Sequence, residues 1–420
     1  MGEVKKKVVK KQPVKTVIVK KKVVKKKKVN KLKPGPILLL LIIIGIGLFC
    51  YKSCNKENKV EENKIEIVEK DDNGITNDYS SSELSLIMVG DCLIHGAIYK
   101  DAEENGTYNF YKMVDLIKPI IEPYDLAFYN QESLLGGTEI GLSTYPTFNS
   151  PQEVGDAFLD AGFNLVSLAN NHTLDKGQKG LDSSLQYWDE KEKEGIMTAG
   201  SYTSFEDRDQ DVIMEVNGIK YTLLAYTTTT NGLNRPKGKE YYLNVYDPDQ
   251  VKADIERLRD KVDLLLVSMH WGEEYHTEPT QGQEEIAAYL ASLGVDIIIG
   301  THPHVIEPIE FIGNTMVIYS LGNFIASQNS GQTKDGRVAR HTGLMVSVTV
   351  KKVTINGKST IYLVDPTAQL SYAYSNNQHD YEMYTYDMLN DNLLSGYHDY
   401  FNKYMKIVTS RTDKILYNPI

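Results

Sequence analysis

Six short apolar runs follow one another between Leu84 and Leu321, and each ends at a residue that can bind a metal ion or form strong hydrogen bonds. The polar ends of the runs are Asp91, Asn130-Gln131-Glu132, Asn170-Asn171-His172, His270, Thr301-His302-Pro303-His304 and Gly322-Asn323. Stretches with helical spacing of apolar residues lie between several runs, and strand–helix alternation predicts an α/β fold. Because ligands of such folds bind at the carboxyl ends of strands, the six ends together predict one site.

Two hairpin signals interrupt this alternation. Asn217-Gly218 and Asn356-Gly357 each separate two apolar runs, and an Asn-Gly pair is a strong signal for a two-residue turn between antiparallel strands. The sheets are therefore predicted to be mixed rather than purely parallel. We place one α/β domain at residues 84–365, followed at 366–420 by a Tyr-rich C-terminal extension that packs on it.

The donor types at the strand ends suit a divalent metal ion. Five of the nine histidines of the chain fall in these segments, and three cysteines in 420 residues are too few for a thiolate cluster. Oxygen donors combined with imidazoles favour one or two ions of Mn, Fe or Zn. A carboxylate shared by two ions would let them clamp a phosphate-like group and supply hydroxide near neutral pH.

Taken singly, each of these residues also has an ordinary structural role. Asn170 and Asn171 fit helix capping, Asp91 fits a turn, and so does Gly322-Asn323. The joint metal site is favoured because the histidines concentrate at strand ends. The four histidines outside the pattern are His276, His341, His379 and His398.

The first 83 residues differ in composition from the rest of the chain. Residues 1–36 carry 15 Lys against one Glu, residues 37–51 carry no charge, and residues 52–83 are polar and charged. We predict a Lys-rich cytoplasmic arm, a single transmembrane signal anchor and a flexible tether for these segments. The positive-inside rule then places the protein at the cell membrane with its domain outside the cell. A cleaved signal peptide is the alternative, which the long arm and the missing small-residue cleavage site disfavour.

The order of the motifs resembles the CapA family of poly-γ-glutamate capsule biosynthesis proteins, within the calcineurin-like metallophosphatase superfamily. The segments that carry the resemblance are Gly90-Asp91, Asn130-x-Glu132, Asn170-Asn171-His172, His270-Trp271-Gly272-x-Glu274-Tyr275, Gly300-x-His302-Pro303-His304 and Ser320-Leu321-Gly322-Asn323-Phe324. The resemblance covers roughly residues 84–364. It implies a four-layer α/β/β/α sandwich with the site at the tops of the sheets.

The resemblance also implies roles for individual residues. The implied metal ligands are Asp91 and His304 for a first ion, Glu132 as a bridge, and Asn171, His270 and His302 for a second ion. His172 matches a general acid or a group that orients the substrate, and His95 is a second catalytic candidate. The implied substrate-binding or supporting residues are Asn130, Asn170, Glu274 and Asn323.

The sequence departs from the wider superfamily at two positions. Asp91-Cys92-Leu93 lacks the histidine of the usual Asp-x-His motif, and Glu132 stands where an aspartate is usual. His95 either replaces the missing histidine or faces the substrate. These departures leave open whether both ion positions fill.

We therefore expect a membrane-anchored extracellular protein of poly-γ-glutamate or polysaccharide capsule synthesis or export. Its activity would be metal-dependent hydrolysis, in which metal-bound hydroxide attacks a phosphoester or related bond and His172 protonates the leaving group. The alternative is a non-catalytic accessory subunit of a capsule polymer synthase or export complex. The expected partners are the membrane, synthase subunits and an anionic polymer or phosphoester. A Lys arm without Arg or aromatic residues argues against nucleic acid.

Overall fold

The computed structural model of the chain describes residues 78–329 and 333–420. The arm predicted at 1–36, the anchor at 37–51 and most of the tether at 52–83 lie outside the described residues. These assignments therefore stay predictions. Within the described part of the chain, no helix combines the length and the apolar character needed to cross a membrane.

The first sheet is mixed and has eight strands. They are β1 (Tyr79–Cys92), β4 (Leu126–Gln131), β5 (Leu165–Ser167), β6 (Met197–Ala199), β13 (Asn323–Ile325), β14 (Thr342–Ile355), β15 (Lys358–Asn376) and β16 (His379–Thr385). The strand order is β16-β15-β14-β1-β4-β5-β6, and β13 also pairs with β1. Strands β1, β4, β5 and β6 run parallel, whereas β14, β15 and β16 add an antiparallel half.

The second sheet is also mixed and has six strands. They are β7 (Met214–Val216), β8 (Ile219–Thr227), β9 (Leu264–His270), β10 (Ile297–Thr301), β11 (Ile309–Ile312) and β12 (Thr315–Ile318), in the order β11-β12-β10-β9-β8-β7. The four inner strands are parallel, and β7 and β11 pair antiparallel at the two edges. Strands β9 and β10 are buried along their whole length, as continuous apolar runs require. A separate two-stranded ribbon joins β2 (Glu103–Glu104) and β3 (Thr107–Tyr108).

Short helices connect the strands. The α-helices among the described residues are α1 (Gly96–Ala102), α2 (Tyr111–Val114), α3 (Lys118–Ile121), α4 (Glu153–Asp160), α5 (Gly177–Lys193), α6 (Phe205–Arg208), α7 (Pro248–Leu258), α8 (Gln281–Ser292), α9 (Lys334–His341) and α10 (Tyr397–Val408). Single 3-10 turns cover Thr138–Ile140, Glu240–Tyr242, Arg259–Lys261 and Tyr386–Met388. The longer helices have one apolar face, which they bury against the sheets.

Alternate side chains of the strands belong to different apolar layers. In β1, Leu86 and Met88 join the apolar cluster shared by both sheets, whereas Ile87 packs against helices α1 to α4. In β9, Leu266 faces the shared cluster and Leu265 packs against α7 and α8. Two sheets therefore enclose one core and carry helices on their outer faces, in the order α/β/β/α. The prediction of an α/β fold with mixed sheets is confirmed.

The segment 319–322 passes between the strand ends of the two sheets. The Asp91 N–H donates to Gly322 O at 3.0 Å, and the Leu321 N–H donates to Gly300 O at 3.1 Å. A Cβ atom at Gly90 would lie 1.8 Å from Gly322 O, and one at Gly300 would lie 1.9 Å from the Tyr319 carbonyl oxygen. Only glycine allows so close an approach of two backbones. The approach brings the end of β1 beside the end of β10.

Two boundaries differ from the sequence prediction. Residues 79–83, which we assigned to the tether, begin β1, because they pair with residues 351–355 of β14. The boundary predicted between 365 and 366 falls inside β15, which runs unbroken from Lys358 to Asn376. The Tyr-rich C-terminal residues therefore share a sheet with the rest of the domain. Residues 79–83 are mostly polar and have no apolar alternation, so the sequence did not predict a strand there. The strand forms because it pairs with a distant segment of the chain.

Glu307 is a fully buried carboxylate whose ionisation opposes folding. Its Oε2 accepts a hydrogen bond from Gln283 Nε2 at 2.6 Å, while Oε1 has no partner among the described residues. Burial raises the pKa of Glu307 from 4.5 to about 8. The folded state thus keeps a proton that the unfolded chain loses above its ordinary pKa, so this contribution to stability falls as pH rises toward 8.

Replacing Glu307 with glutamine should remove this pH dependence. We expect the variant to gain stability relative to wild type between pH 5 and pH 8, by a few kcal/mol at most, since each pKa unit corresponds to about 1.4 kcal/mol. Urea unfolding of both proteins at pH 5, 6.5 and 8 measures the difference. If the difference in unfolding free energy between the two proteins is the same at all three pH values, the Glu307 carboxyl is ionised in the folded state at pH 5.

Candidate metal centre

Two groups of three donors meet at the strand ends and share Glu132. Asp91, Glu132 and His304 form the first group, and Glu132, His270 and His302 form the second. The ligand atoms of each group lie within 4.8 Å of one another, and all five residues are buried. Glu132 Oε1 lies 3.7 Å from His270 Nε2 and 3.7 Å from His304 Nε2, so one carboxylate faces both groups.

Each group takes donors from both sheets. Asp91 lies at the end of β1 and Glu132 directly follows β4, both in the first sheet. His270 ends β9, and His302 and His304 follow β10, in the second sheet. The His302 N–H donates to Asp91 Oδ2 at 3.2 Å. The site therefore lies where the carboxyl ends of the parallel strands of the two sheets meet, as the sequence pattern predicts.

Asn323 fixes the position of the proton on His304. Its Nδ2 donates to Arg340 O at 2.8 Å and to Gln328 Oε1 at 3.0 Å, which leaves Oδ1 as an acceptor. His304 Nδ1 lies 2.9 Å from that oxygen and therefore carries the proton. The other ring nitrogen, Nε2, faces Glu132, and a metal ion bound there would take the place of a proton on Nε2.

Two polar neighbours hold His270 in place. Its Nδ1 lies 3.0 Å from Thr301 Oγ1, and its Nε2 lies 3.0 Å from Asn171 Oδ1. Asn171 Nδ2 donates to Asn231 Oδ1 at 3.3 Å, which orients the amide oxygen of Asn171 toward His270. Asn171 thus adds an oxygen donor beside the second group, at the place the resemblance implies.

The backbone is unusual where His302 and His304 leave β10. Their φ angles are 98° and 60°, in a region that residues with a Cβ atom rarely adopt. Pro303 stiffens the turn between them, and the two rings lie 6.0 Å apart. Strain of this kind is found at functional sites, where the surrounding structure enforces it. Here it directs the two rings to different donor groups.

Several buried atoms of the centre have no hydrogen-bond partner among the described residues. They include both carboxylate oxygens of Glu132 and Nδ1 of His302. Burial raises the pKa of Glu132 well above its ordinary value, and the charge of Asp91 raises it further although His304 opposes this. A buried carboxylate without a partner costs on the order of several kcal/mol. A divalent ion in each group would satisfy these atoms, so the residues fit one or two such ions.

A cleft of about 720 Å³ opens beside the donor groups, and His95 and His172 line it. His172 Nδ1 lies 2.7 Å from Asp175 Oδ2, which orients the ring. Both histidine rings pack edge-on against Phe148, with centroid distances of 5.1 Å for His95 and 4.6 Å for His172. The two catalytic candidates therefore share one cleft and one aromatic support.

His95 lies outside both donor groups. Its Nδ1 is 3.0 Å from Leu93 O, and burial lowers its pKa to about 4, so the ring is neutral at pH 7. It faces the cleft and does not replace the missing ligand of the first group. Of the two sequence-based alternatives, the structure places His95 at the cleft, and its role there stays a prediction.

The remaining predicted residues have three different placements. Asn130 Nδ2 donates to Asp91 Oδ1 at 2.8 Å and so orients a donor of the first group. Asn170 Nδ2 donates to Gln131 O at 2.8 Å and fixes the loop that carries Asn171. Glu274 is exposed and lines the mouth of the cleft. The structure thus brings Asn130 and Asn170 beside the centre and leaves Glu274 at its rim.

Sequence reasoning assigned no role to three residues that the structure places here. Thr301 contacts His270, and its position between Gly300 and His302 in the motif was a usable signal. Asp175 contacts His172 three residues away, which local spacing could also have suggested. Arg340 lines the cleft from α9, and no local pattern pointed to it.

Comparison with known proteins places these features in a family context. PGA biosynthesis protein CapA of Bacillus subtilis (strain 168) is 29% identical over 273 residues, which cover 63% of this chain and 68% of that protein. Capsule biosynthesis protein CapA of Bacillus anthracis is 28% identical over 277 residues, which cover 62% of this chain and 64% of that protein. The chain thus spans about two thirds of the length of these relatives.

A solved structure and a family model add to this comparison. The calcineurin-like phosphoesterase YfkN from Bacillus subtilis is 15% identical with a TM-score of 0.44, over 78% of this chain and 99% of that chain, which is a partial likeness of shape. The family model described as Bacterial capsule synthesis protein PGA_cap matches residues 85–328, more than half of the chain. The chain therefore belongs to the PGA_cap family of bacterial capsule synthesis proteins.

Proposed function

We propose that this protein is a metal-dependent hydrolase of capsule polymer synthesis or export. The observation that most supports the activity is the pair of buried donor groups that share Glu132, whose two carboxylate oxygens have no hydrogen-bond partner among the described residues. The names of the CapA relatives support the capsule role. The bond we propose to be hydrolysed is a phosphoester or a related acyl or peptide bond.

The residues of the centre have distinct roles in this proposal. Asp91 and His304 would hold one ion, His270, His302 and Asn171 the other, and Glu132 would contact both. When bound, the ions would polarise the substrate and lower the pKa of a water molecule. Metal analysis of the full chain identifies which of Mn, Fe and Zn is bound.

His172 is positioned to move a proton in the cleft. Its Nδ1 lies 2.7 Å from Asp175 Oδ2, so the carboxylate fixes the tautomer and leaves Nε2 as the nitrogen available to a substrate. An imidazole in this position can protonate the leaving group of a hydrolysed ester.

Asp91→Asn and His172→Ala should lower activity in different ways. We expect Asp91→Asn to lose bound metal together with activity, since it removes a charged donor of the first group. His172→Ala should keep its metal and lose about 10²- to 10⁴-fold in kcat, the usual contribution of a general acid. Metal analysis of the full chain, with assays on a chromogenic phosphodiester and a γ-glutamyl oligomer, measures both. A wild type with less than one equivalent of metal and no activity on either substrate would refute the proposal.

One observation favours a non-catalytic accessory subunit as the second candidate. Among the described residues, the His, Cys, Asp and Glu donors of the first group are Asp91, Glu132 and His304 alone, because His95 lies elsewhere. A weakly held first ion would leave a site suited to binding rather than to hydrolysis. Unchanged polymer production in cells that carry His172→Ala, alongside a metal-loaded protein, would favour this candidate over the hydrolase.

We further propose that the domain faces the outside of the cell from a signal anchor at residues 37–51, next to synthase subunits in the membrane. The uncharged run after a Lys-rich arm supports this orientation. Protease added to intact cells, stripped of any outer envelope, should digest the domain and spare the arm. A domain protected from protease until the cells are lysed would contradict the orientation.

A further inference from the structure

One edge of the first sheet is open over part of its length. β15 pairs with β14 on one side along residues 358–372, whereas β16 pairs with its other side only along residues 371–376. A bridge between Thr367 and Leu416 covers the part of that side next to β16. Residues 359–365 therefore have no strand on their outer side in the described part of the chain, and we call them the β15 edge.

Part of the backbone of the β15 edge points outward. Asn356-Gly357 has φ angles of 51° and 75°, as in a two-residue type I′ turn, so Lys358 exchanges both hydrogen bonds with β14. Every second residue after Lys358 does the same, and the residues between them direct their N–H and C=O groups to the open side. These outward residues are Ser359, Ile361 and Leu363. Unpaired groups on an edge strand are a template for another strand, and proteins usually cover them.

A groove of about 560 Å³ lies beside the β15 edge. Ile361 and Leu363 line it from the first sheet, and Phe311 of β11 lines it from the second. These three apolar side chains are only partly buried, and Tyr362, which also lines the groove, is 52% exposed. A strand added at the β15 edge would therefore remove apolar surface from water in addition to pairing the backbone.

The chain enters the described structure at the turn of the hairpin that carries this edge. The Asn356 N–H donates to Asp78 O at 2.9 Å, directly before β1 begins. From β1, the outer side of β15 is three strand spacings away, about 14 Å. A segment as long as residues 70–77 reaches about 27 Å when extended, and it contains the turn signal Asn73-Gly74. The residues that precede position 70 are therefore close enough in the chain to pair with the β15 edge.

Residues 64–69 have the sequence pattern of a half-buried strand. They read Lys-Ile-Glu-Ile-Val-Glu, so Ile65 and Ile67 alternate with charged residues. Alternation of apolar and polar side chains with β-branched residues is typical of a strand that has one face covered. Residues 79–83 were assigned to the same tether from their polarity, and they form a strand because a distant partner is present.

The charges of this segment also complement those at the β15 edge. Lys414 lies in the groove above the Phe311 ring, with its Nζ 4.4 Å from the ring centroid, and Lys358 lies at the hairpin end. Neither lysine has a carboxylate within ion-pair distance in the part of the chain that the structure describes. The segment 64–69 carries two carboxylates, those of Glu66 and Glu69.

We propose that residues 64–69 add to the first sheet as a strand antiparallel to the β15 edge. Ile65 and Ile67 enter the groove beside Ile361 and Leu363, and the backbone of the segment pairs with the outward groups of the edge. The antiparallel direction follows from the connection. The segment runs toward the hairpin turn before the chain enters β1, whereas β15 runs away from that turn.

This added strand would shorten the tether between the proposed anchor and the domain. Residues 52–63 would remain in place of residues 52–77, and the greatest reach of the tether would fall from about 90 Å to about 40 Å. The metal centre lies at the other end of β1, on the order of 40 Å from the hairpin turn. The consequence for reach rests on the proposed anchor, whereas the added strand itself does not.

Hydrogen exchange of the purified full chain, read at single amides by mass spectrometry, tests the added strand. The amides of Ile361 and Leu363 should exchange at least about 100-fold more slowly in wild type than in the double variant Ile65→Asp/Ile67→Asp, because a backbone hydrogen bond protects an amide from exchange. Equal rates in the two proteins would overturn the proposal. Rates in wild type as fast as those of an unfolded peptide would overturn it without any variant.

Two controls separate the added strand from other effects. The amides of Thr360 and Tyr362 bond to β14 and should exchange at the same rate in wild type and in the double variant, which shows that the variant is folded. Val60→Asp places the same charge in the tether outside the segment and should leave the protection as in wild type. Loss of protection in Val60→Asp would overturn the assignment to residues 64–69.

The same measurement distinguishes the other possible occupant of the edge. Protection of the β15 edge that rises with protein concentration would overturn the proposal in favour of a second copy of the chain. Protection that is independent of concentration and lost in the double variant supports the segment of the same chain. This result does not depend on membrane orientation or on hydrolysis, so its failure is distinguishable from failure of the proposed function.

Discussion

Replacing Glu132 with glutamine should abolish metal binding in both donor groups and leave the metal-free chain at least as stable as wild type. Both groups depend on this carboxylate, whose Oε1 lies 3.7 Å from a nitrogen of each facing histidine. Without metal, its burial raises its pKa and makes its ionised form a cost to folding. Glutamine removes that cost and also removes the bridging charge.

Thermal unfolding with and without added Mn²⁺ or Zn²⁺ measures both effects. Wild type should gain about 4 kcal/mol when the ion is present at a thousand times its dissociation constant, whereas the variant should gain nothing. The matched control is Glu307→Gln, which removes another buried carboxylate that lies outside the donor groups. The control should bind metal as wild type does. Retention of two equivalents of metal by Glu132→Gln would show that Glu132 is not shared.

Replacing Gly300 with alanine should prevent folding. The added Cβ would lie 1.9 Å from Tyr319 O and 2.5 Å from the Ile318 carbonyl oxygen, and both atoms are backbone. Neither can move without pulling β12 and the residue after it away from β10, so we expect a loss of more than about 5 kcal/mol, close to the whole stability of many domains. The yield of soluble protein and its circular dichroism spectrum measure the result.

Gly282 provides the control for this substitution. It lies in the first turn of α8, and a Cβ there would meet only Thr280 Oγ1, at 3.9 Å. Gly282→Ala should therefore stabilise the protein by about 0.5–1 kcal/mol, because alanine loses less entropy than glycine in a helix. If Gly300→Ala unfolds at the same denaturant concentration as wild type, the segment 319–322 does not pass as closely as described.

The sequence allowed much of the fold to be predicted where the apolar signal was continuous. β9 and β10 are buried along their whole length and read as plain apolar runs, and the Asn217-Gly218 and Asn356-Gly357 hairpins have an unambiguous turn signal. The start of β1 could not be predicted, because residues 79–83 are polar and pair only with a strand some 270 positions later. Such pairing is set by tertiary context, which local propensity does not record.

In the candidate site, too, some residues could be predicted from the sequence and others could not. The members of both donor groups could be predicted, since each follows a strand and carries a metal-binding side chain. Their supports could be predicted only in part: Asp175 follows His172 by three residues, whereas Arg340 reaches the cleft from a helix with no relevant motif. The proton on His304 depends on Asn323, whose own orientation depends on the carbonyl oxygen of Arg340. Chains of contacts of this kind exist only in the folded protein.

The meeting of two sheets at the donor groups determines when an ion can first be bound. The His302–Asp91 contact joins residues 211 positions apart, and the Asn130–His270 contact joins residues 140 positions apart. No complete ligand set exists until the ribosome has passed His304 and the second sheet has docked on the first. A prematurely terminated chain would keep Asp91 and Glu132 and still hold no ion. An ion held by both donor groups would therefore mark chains in which the two sheets have docked.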